Sequence, residues 1–115
     1  MTYQSLGLKR VAYEHPAWKV QLEALLMTGA LTRAEDKAKK DAQSALDLKL
    51  AVDGSSRATP VTRHLVKHWG PSWSQFCLKD AQRRAKRSAS RVVRLKAELA
   101  TIVGRAKSMT AARAA

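Results

Sequence analysis

"QRRAKRSASRVVRLKAELATIVGRAK", residues 82–107, decides how this chain is read. It opens on Arg83, Arg84, Lys86 and Arg87, then settles into valines and leucines at helical spacing. Taken with its surroundings it yields the series Leu78, Ala81, Ala85, Ser88, Val92, Leu95, Leu99, Ile102, Ala106 and Met109. Successive gaps of three and four residues are the heptad spacing of a coiled coil, built of small residues at first and of large ones from Val92. At about 100° per residue the seam takes one side of a helix, and Lys79, Arg83, Lys86, Arg87, Arg94 and Arg105 take the other. One face has to be covered; the other stays wet.

The helix extends well beyond the quoted stretch. No proline follows Pro71, so a helix is predicted from Trp73 to near Arg113, about 40 residues or roughly 60 Å. A compact domain of this size has a radius of gyration of only ~13 Å. The rod is therefore expected to outrun its own core, leaving Val92, Leu95, Leu99, Ile102 and Met109 to a second copy or another protein. The alternative is a break at Ser88–Ser90 or Gly104 that folds the stripe back on the earlier helices. Gly104 alone costs about 1 kcal/mol and does not force one.

Upstream, a helix is predicted to begin at Pro16, bury Trp18, Leu22, Leu25 and Leu26, and end at Gly29. A second begins at "TRAE", where Thr32 and Glu35 have the spacing of a capping box. It buries Ala34, Ala38, Ala42, Ala45, Leu46 and Val52, with Asp36, Lys40, Ser44 and Asp47 opposite. "LDLKLAVDG" (46–54) also alternates as a strand does, but no second strand is available to pair with it, so helix is preferred. "DGSSRATP" (53–60) reads as a loop. Thr59 and Pro60 then open a short helix that stops at Gly70. Ser72 and Gln75 form a second candidate capping box at the start of the long one.

The expectation is a single all-α domain of about four helices over 1–115. Residues 1–15 form a short helix or an arm packed through Tyr3, Leu6, Leu8, Val11 and Tyr13; 16–58 form a helical pair; 59–115 form the short helix and the long basic one. Residues 60–87 hold the parts of a helix-turn-helix in order, although the Lys and Arg begin only at Lys79, late for a recognition helix.

Charge points to the partner. The chain carries 22 Lys plus Arg against nine Asp plus Glu, a net +13. From Lys79 to Lys107, ten basic residues face only Asp80 and Glu98. Solvated coiled-coil faces mix both signs; this one does not. Arginine offers forked donors suited to phosphate. The expected function is non-enzymatic nucleic-acid binding, DNA or RNA, through Lys79, Arg83, Arg84, Lys86, Arg87, Arg91 and Arg94. The alternatives are a structural subunit of a large assembly, or a protein-binding regulator, using the same helix.

Other chemistries find little support. His64 and His68 have the four-residue spacing of a metal pair, but Leu65 stands where a zincin has its Glu, and Cys77 alone does not complete a set. Trp69, Trp73 and Phe76 are expected to form the core between the last two helices rather than to stack on bases. There is no P-loop, no GxGxxG and no paired carboxylate motif. Catalytic residues, metal and cofactor are all expected to be none. The opening residues lack the apolar core of a secretory leader, no run reaches the length of a membrane span, and the lone Cys77 cannot form an internal disulfide. An intracellular setting is expected.

Overall fold

A computed structural model describes residues 3–114, with side chains through residue 111. The described chain is all-helical: a 3-10 turn at Gln4–Leu6, then α1 (Ala17–Val52), α2 (Pro60–Trp69) and α3 (Pro71–Ala114). No strand occurs among the described residues, and no helix there is long and apolar enough to cross a membrane.

Three helices replace the expected four because 17–52 is continuous. Gly29 does not end a helix; its cost of about 1 kcal/mol is outweighed by strong helix formers on both sides. Thr32 does not cap one either. Its hydroxyl donates to the Thr28 carbonyl at 3.0 Å, the back-bond of a mid-helix threonine. The real start of α1 is capped by His15, whose Nδ1 accepts the Ala17 N–H at 3.0 Å. Its end is a Schellman motif: Gly54 has φ 79°, its N–H bonds the Ala51 carbonyl, and the Ser55 N–H reaches the Leu50 carbonyl. The alternating 46–54 stretch is thus helix up to Val52.

α2 begins as expected, with Thr59 Oγ1 accepting the Thr62 N–H at 3.4 Å. The expected Ser72–Gln75 capping box is absent. α3 starts two residues earlier, with Pro71 at its first position and Gly70 (φ 82°, ψ 170°) as the whole connection. Proline suits that position because its missing N–H would have no helical partner.

The chain divides into two compact units: a terminal unit, Met1–Ala34 with Val92–Ala115, and a middle unit, Glu35–Arg91. α1 and α3 each contribute a stretch to both. In the terminal unit Leu8, Ala24 and Ala106 are buried, with Tyr3, Leu6, Val20, Leu99, Ile102 and Val103 packed around them. Ala24 and Ala106 have no exposure at all; side chains this small let helix backbones approach closely. The N-terminal segment is an arm tied down by Gln21, itself only 1% exposed. Its Nε2 donates to the Lys9 carbonyl at 2.6 Å and its Oε1 accepts the Val11 N–H at 3.3 Å. Of the residues assigned to the arm's contact, Leu8 is buried while Tyr13 is exposed, its ring edge-on to Trp18 at 4.7 Å.

This packing covers part of the distal stripe within the chain itself. Leu99 and Ile102 sit in the chain's own cluster, and Val92, Leu95 and Met109 are half-buried. The first stretch of α1 and the N-terminal arm supply the cover. Continuity through Gly29 gives α1 a face in each unit, and no break is needed at Ser88–Ser90 or Gly104.

In the middle unit Ala45 and Leu48 of α1 meet Leu78 and Ala81 of α3, flanked by Val52, Val66, Trp69, Cys77 and Ala85. Ser88, buried on the seam, donates its hydroxyl to Asp41 Oδ2. The face of α1 turned inward therefore differs from the one expected. Ala42 and Leu46 are exposed while Asp41 is half-buried, and in the terminal unit Leu26 is exposed while Gln21 and Thr28 are buried.

Candidate nucleic-acid interface

Within the middle unit the outer face of α3 runs from Trp73 to Arg91. On a helical wheel Phe76, Arg83 and Arg87 lie within about 40° of one another and roughly opposite the seam, with Trp73, Arg84 and Arg91 on the near flank. Lys79 and Lys86 line the far flank. All eight are exposed. Arg94 is exposed as well, in the terminal unit.

Carboxylates barely touch this face. Arg84 pairs with Asp80 one turn back at 2.9 Å, a solvent-exposed i,i+4 contact of a few tenths of a kcal/mol at most. Lys79, Arg83, Lys86, Arg87, Arg91 and Arg94 are in no ion pair among the described residues. In the terminal unit Arg105 is the exception, reaching Glu23 at 3.2 Å.

The aromatic residues depart from expectation. Trp69 alone joins the core. Trp73 is 51% and Phe76 60% exposed, and their rings stack on each other at 5.1 Å between centroids and 17° between planes. The seam position on this turn belongs to Ser74, 1% exposed, whose hydroxyl donates to the Val66 carbonyl at 3.2 Å. Trp73 lies about 100° round the helix from it, too far to point inward. No periodicity rule that scores serine as polar finds this.

α2, Gly70 and the first turns of α3 do form a helix-Gly-helix hairpin. The first eight residues of α3, Pro71 to Leu78, carry no charged side chain, so a recognition helix reading bases and phosphates from its N-terminal turns lacks its cations there. His64 and His68 are both exposed on α2. Among the described residues no three His, Cys, Asp or Glu side chains gather as a metal site would need.

Two aspartates of α1 tie it to the other helices, Asp41 to Ser88 of α3 and Asp47 to the start of α2. Asp41 is held below the usual carboxylate range first by the Ser88 hydroxyl and then by Lys37, whose Nζ lies 2.9 Å from it. Asp47 is lowered by the Thr62 hydroxyl and by the Thr59 backbone N–H, which donates to it at 2.8 Å. The Thr59 hydroxyl also donates to Asp47, at 2.9 Å. Neither contact was legible in the sequence, because each joins residues 12 or 47 positions apart; only the Thr59–Pro60 helix start hinted at one end.

No protein-family model, curated protein or solved structure matches the chain. Its function is read from its own residues.

Proposed function

We propose that this protein is a non-enzymatic, intracellular nucleic-acid-binding protein that docks on phosphates through the outer face of α3. Lys79, Arg83, Arg84, Lys86, Arg87 and Arg91 do so in the middle unit; in the terminal unit Arg94 is a further candidate phosphate contact. The observation that carries this is the run of exposed cations of which only Arg84 has a carboxylate partner. Such groups attract a counterion atmosphere or a polyanion. Phosphates that displace those ions gain affinity through counterion release, with log K falling by about 0.9 per contacted duplex phosphate for each tenfold rise in salt. Contacts of this kind position a strand without reading its sequence.

A second reading, a subunit that clips onto neighbouring proteins, is favoured by the exposure of Val61 (71%) and Leu65 (36%) on α2. Binding to generic duplex and single-stranded oligonucleotides over a salt series separates the two. A steep fall with salt is expected for the first reading; no binding at low salt leaves the second. Charge reversal at both Arg83 and Arg87 is expected to abolish binding while circular dichroism stays unchanged, since both side chains project into solvent. Wild-type affinity in that variant rules out phosphate docking at this face.

A further inference from the structure

Trp73 and Phe76 are exposed at a cost. Each forgoes part of the stabilisation that full burial would give, and large apolar side chains grouped on a surface mark a contact. Their stacking holds two ring planes nearly parallel, within 17°, and more than half of each residue is open to solvent. Phe76 lies only about 20° round the wheel from Arg83, and Trp73 shares its side of α3 with Arg84 and Arg91. The one acid among them, Asp80, is engaged by Arg84.

A double helix has little use for such a pair, because its bases are already stacked and only their edges are open. A single strand offers what the pair lacks: flat π-faces next to a phosphate chain. We propose that Trp73 and Phe76 are a stacking platform for unpaired bases, and that Arg83, Arg84, Arg87 and Arg91 hold the phosphates of the same strand. The preferred ligand of this face is then single-stranded nucleic acid, DNA or RNA, bound without strong sequence preference because every base has a face to stack. The uncharged turns from Pro71 to Leu78 take the bases, and the arginine turns beyond take the backbone. From Phe76 to Arg91 the helix rises about 22 Å, comparable to six nucleotides of a stacked strand at 3.4 Å each. This inference rests on the phosphate docking proposed above and adds the ligand's strandedness. An anionic membrane surface fits less well, since beyond Phe76 this face of the middle unit offers cations and no further apolar anchor.

The test is fluorescence anisotropy with labelled oligothymidylate, oligouridylate and a mixed-sequence duplex. It compares the wild-type chain, the double variant W73A/F76A, the double variant W73L/F76L and the double variant R83E/R87E. Both aromatic variants are expected to lose about tenfold or more on single strands and to keep duplex affinity and salt slope, with thermal midpoints near the wild type. The leucine variant matters because it keeps apolar area and removes only the ring faces. Full single-strand affinity in W73L/F76L overturns the platform, as does an equal loss on duplex. If either occurs while R83E/R87E still fails to bind, phosphate docking survives and only the platform falls. Absence of wild-type binding to any oligonucleotide, with co-sedimentation on phosphatidylserine vesicles that W73A/F76A loses, overturns both in favour of a lipid surface. Self-association abolished by W73A/F76A overturns the platform in favour of a second copy.

Discussion

Single polar residues decide which face of α1 is inside. Gln21 occupies a core position because the N-terminal arm brings it a carbonyl and an N–H, so its amide is satisfied and its burial costs little. Replacing it with leucine leaves the Lys9 carbonyl and the Val11 N–H without these partners in a part-buried site. The expected loss is about 1–3 kcal/mol for the unmade bonds, read as a lower urea midpoint. The opposite sign is expected at Gly104, where a methyl group meets nothing within 4 Å and the backbone is already helical. Gly104→Ala should add about 1 kcal/mol by reducing the entropy of the unfolded chain, seen as a rise in thermal midpoint. Gly70 differs: its φ of 82° lies where a side chain is strained, so Gly70→Ala should destabilise by on the order of 1–3 kcal/mol.

The elements show why α3 was legible and α1 was not. All ten seam residues of α3, from Leu78 to Met109, are buried or half-buried, because apolar side chains at gaps of three and four announce a face directly. Along α1 the inward positions include Gln21, Thr28 and Asp41. A count of apolar matches scores those against burial and turns the predicted face toward Leu26 and Leu46. What redeems Gln21 and Asp41 lies outside the helix, at Lys9 and Ser88, where local periodicity has no view. The basic face was legible on the same terms as the seam; the exposed Trp73–Phe76 pair was not, since it depends on a buried serine. The aspartate contacts also make the helix ties sensitive to acid. Both carboxyls titrate below their ordinary value in the folded chain, so their contribution is complete above the unfolded pKa of about 3.9. It disappears as the pH falls through the lower folded values. Thermal midpoints should hold steady from neutrality to about pH 5 and fall as pH drops through about 4 and below. An Asp41→Asn, Asp47→Asn double variant should start lower at neutral pH and show a shallower fall. An identical acid profile in both proteins removes these contacts as its cause.

At the scale of the whole molecule, folding redistributes the charge that the linear sequence concentrates in its last third. The middle unit holds thirteen basic and six acidic residues, a net +7, and the terminal unit nine and three, a net +6. Net charge alone therefore does not distinguish the two units as binders. What distinguishes the middle unit is arrangement: a row of unpaired arginines on one helix face beside exposed rings. The size of the field and the shape of the site predict different things. At physiological salt, charges separated by more than about 8 Å are largely screened from each other, so a bound phosphate feels its immediate cations and little of the rest. Two triple variants each remove three positive charges. One changes Arg83, Arg87 and Arg91 to glutamine; the other changes Lys19, Lys96 and Lys107, all exposed in the terminal unit. A local site requires the first to lose most of its affinity and about three in salt slope, and the second to change affinity by less than a few-fold at 150 mM salt. Equal losses in the two would mean that the chain attracts polyanions by its total charge, with no particular face involved. Repeating the comparison near 10 mM salt, where the screening length grows to about 30 Å, supplies the internal control, because there the lysine variant should also begin to weaken.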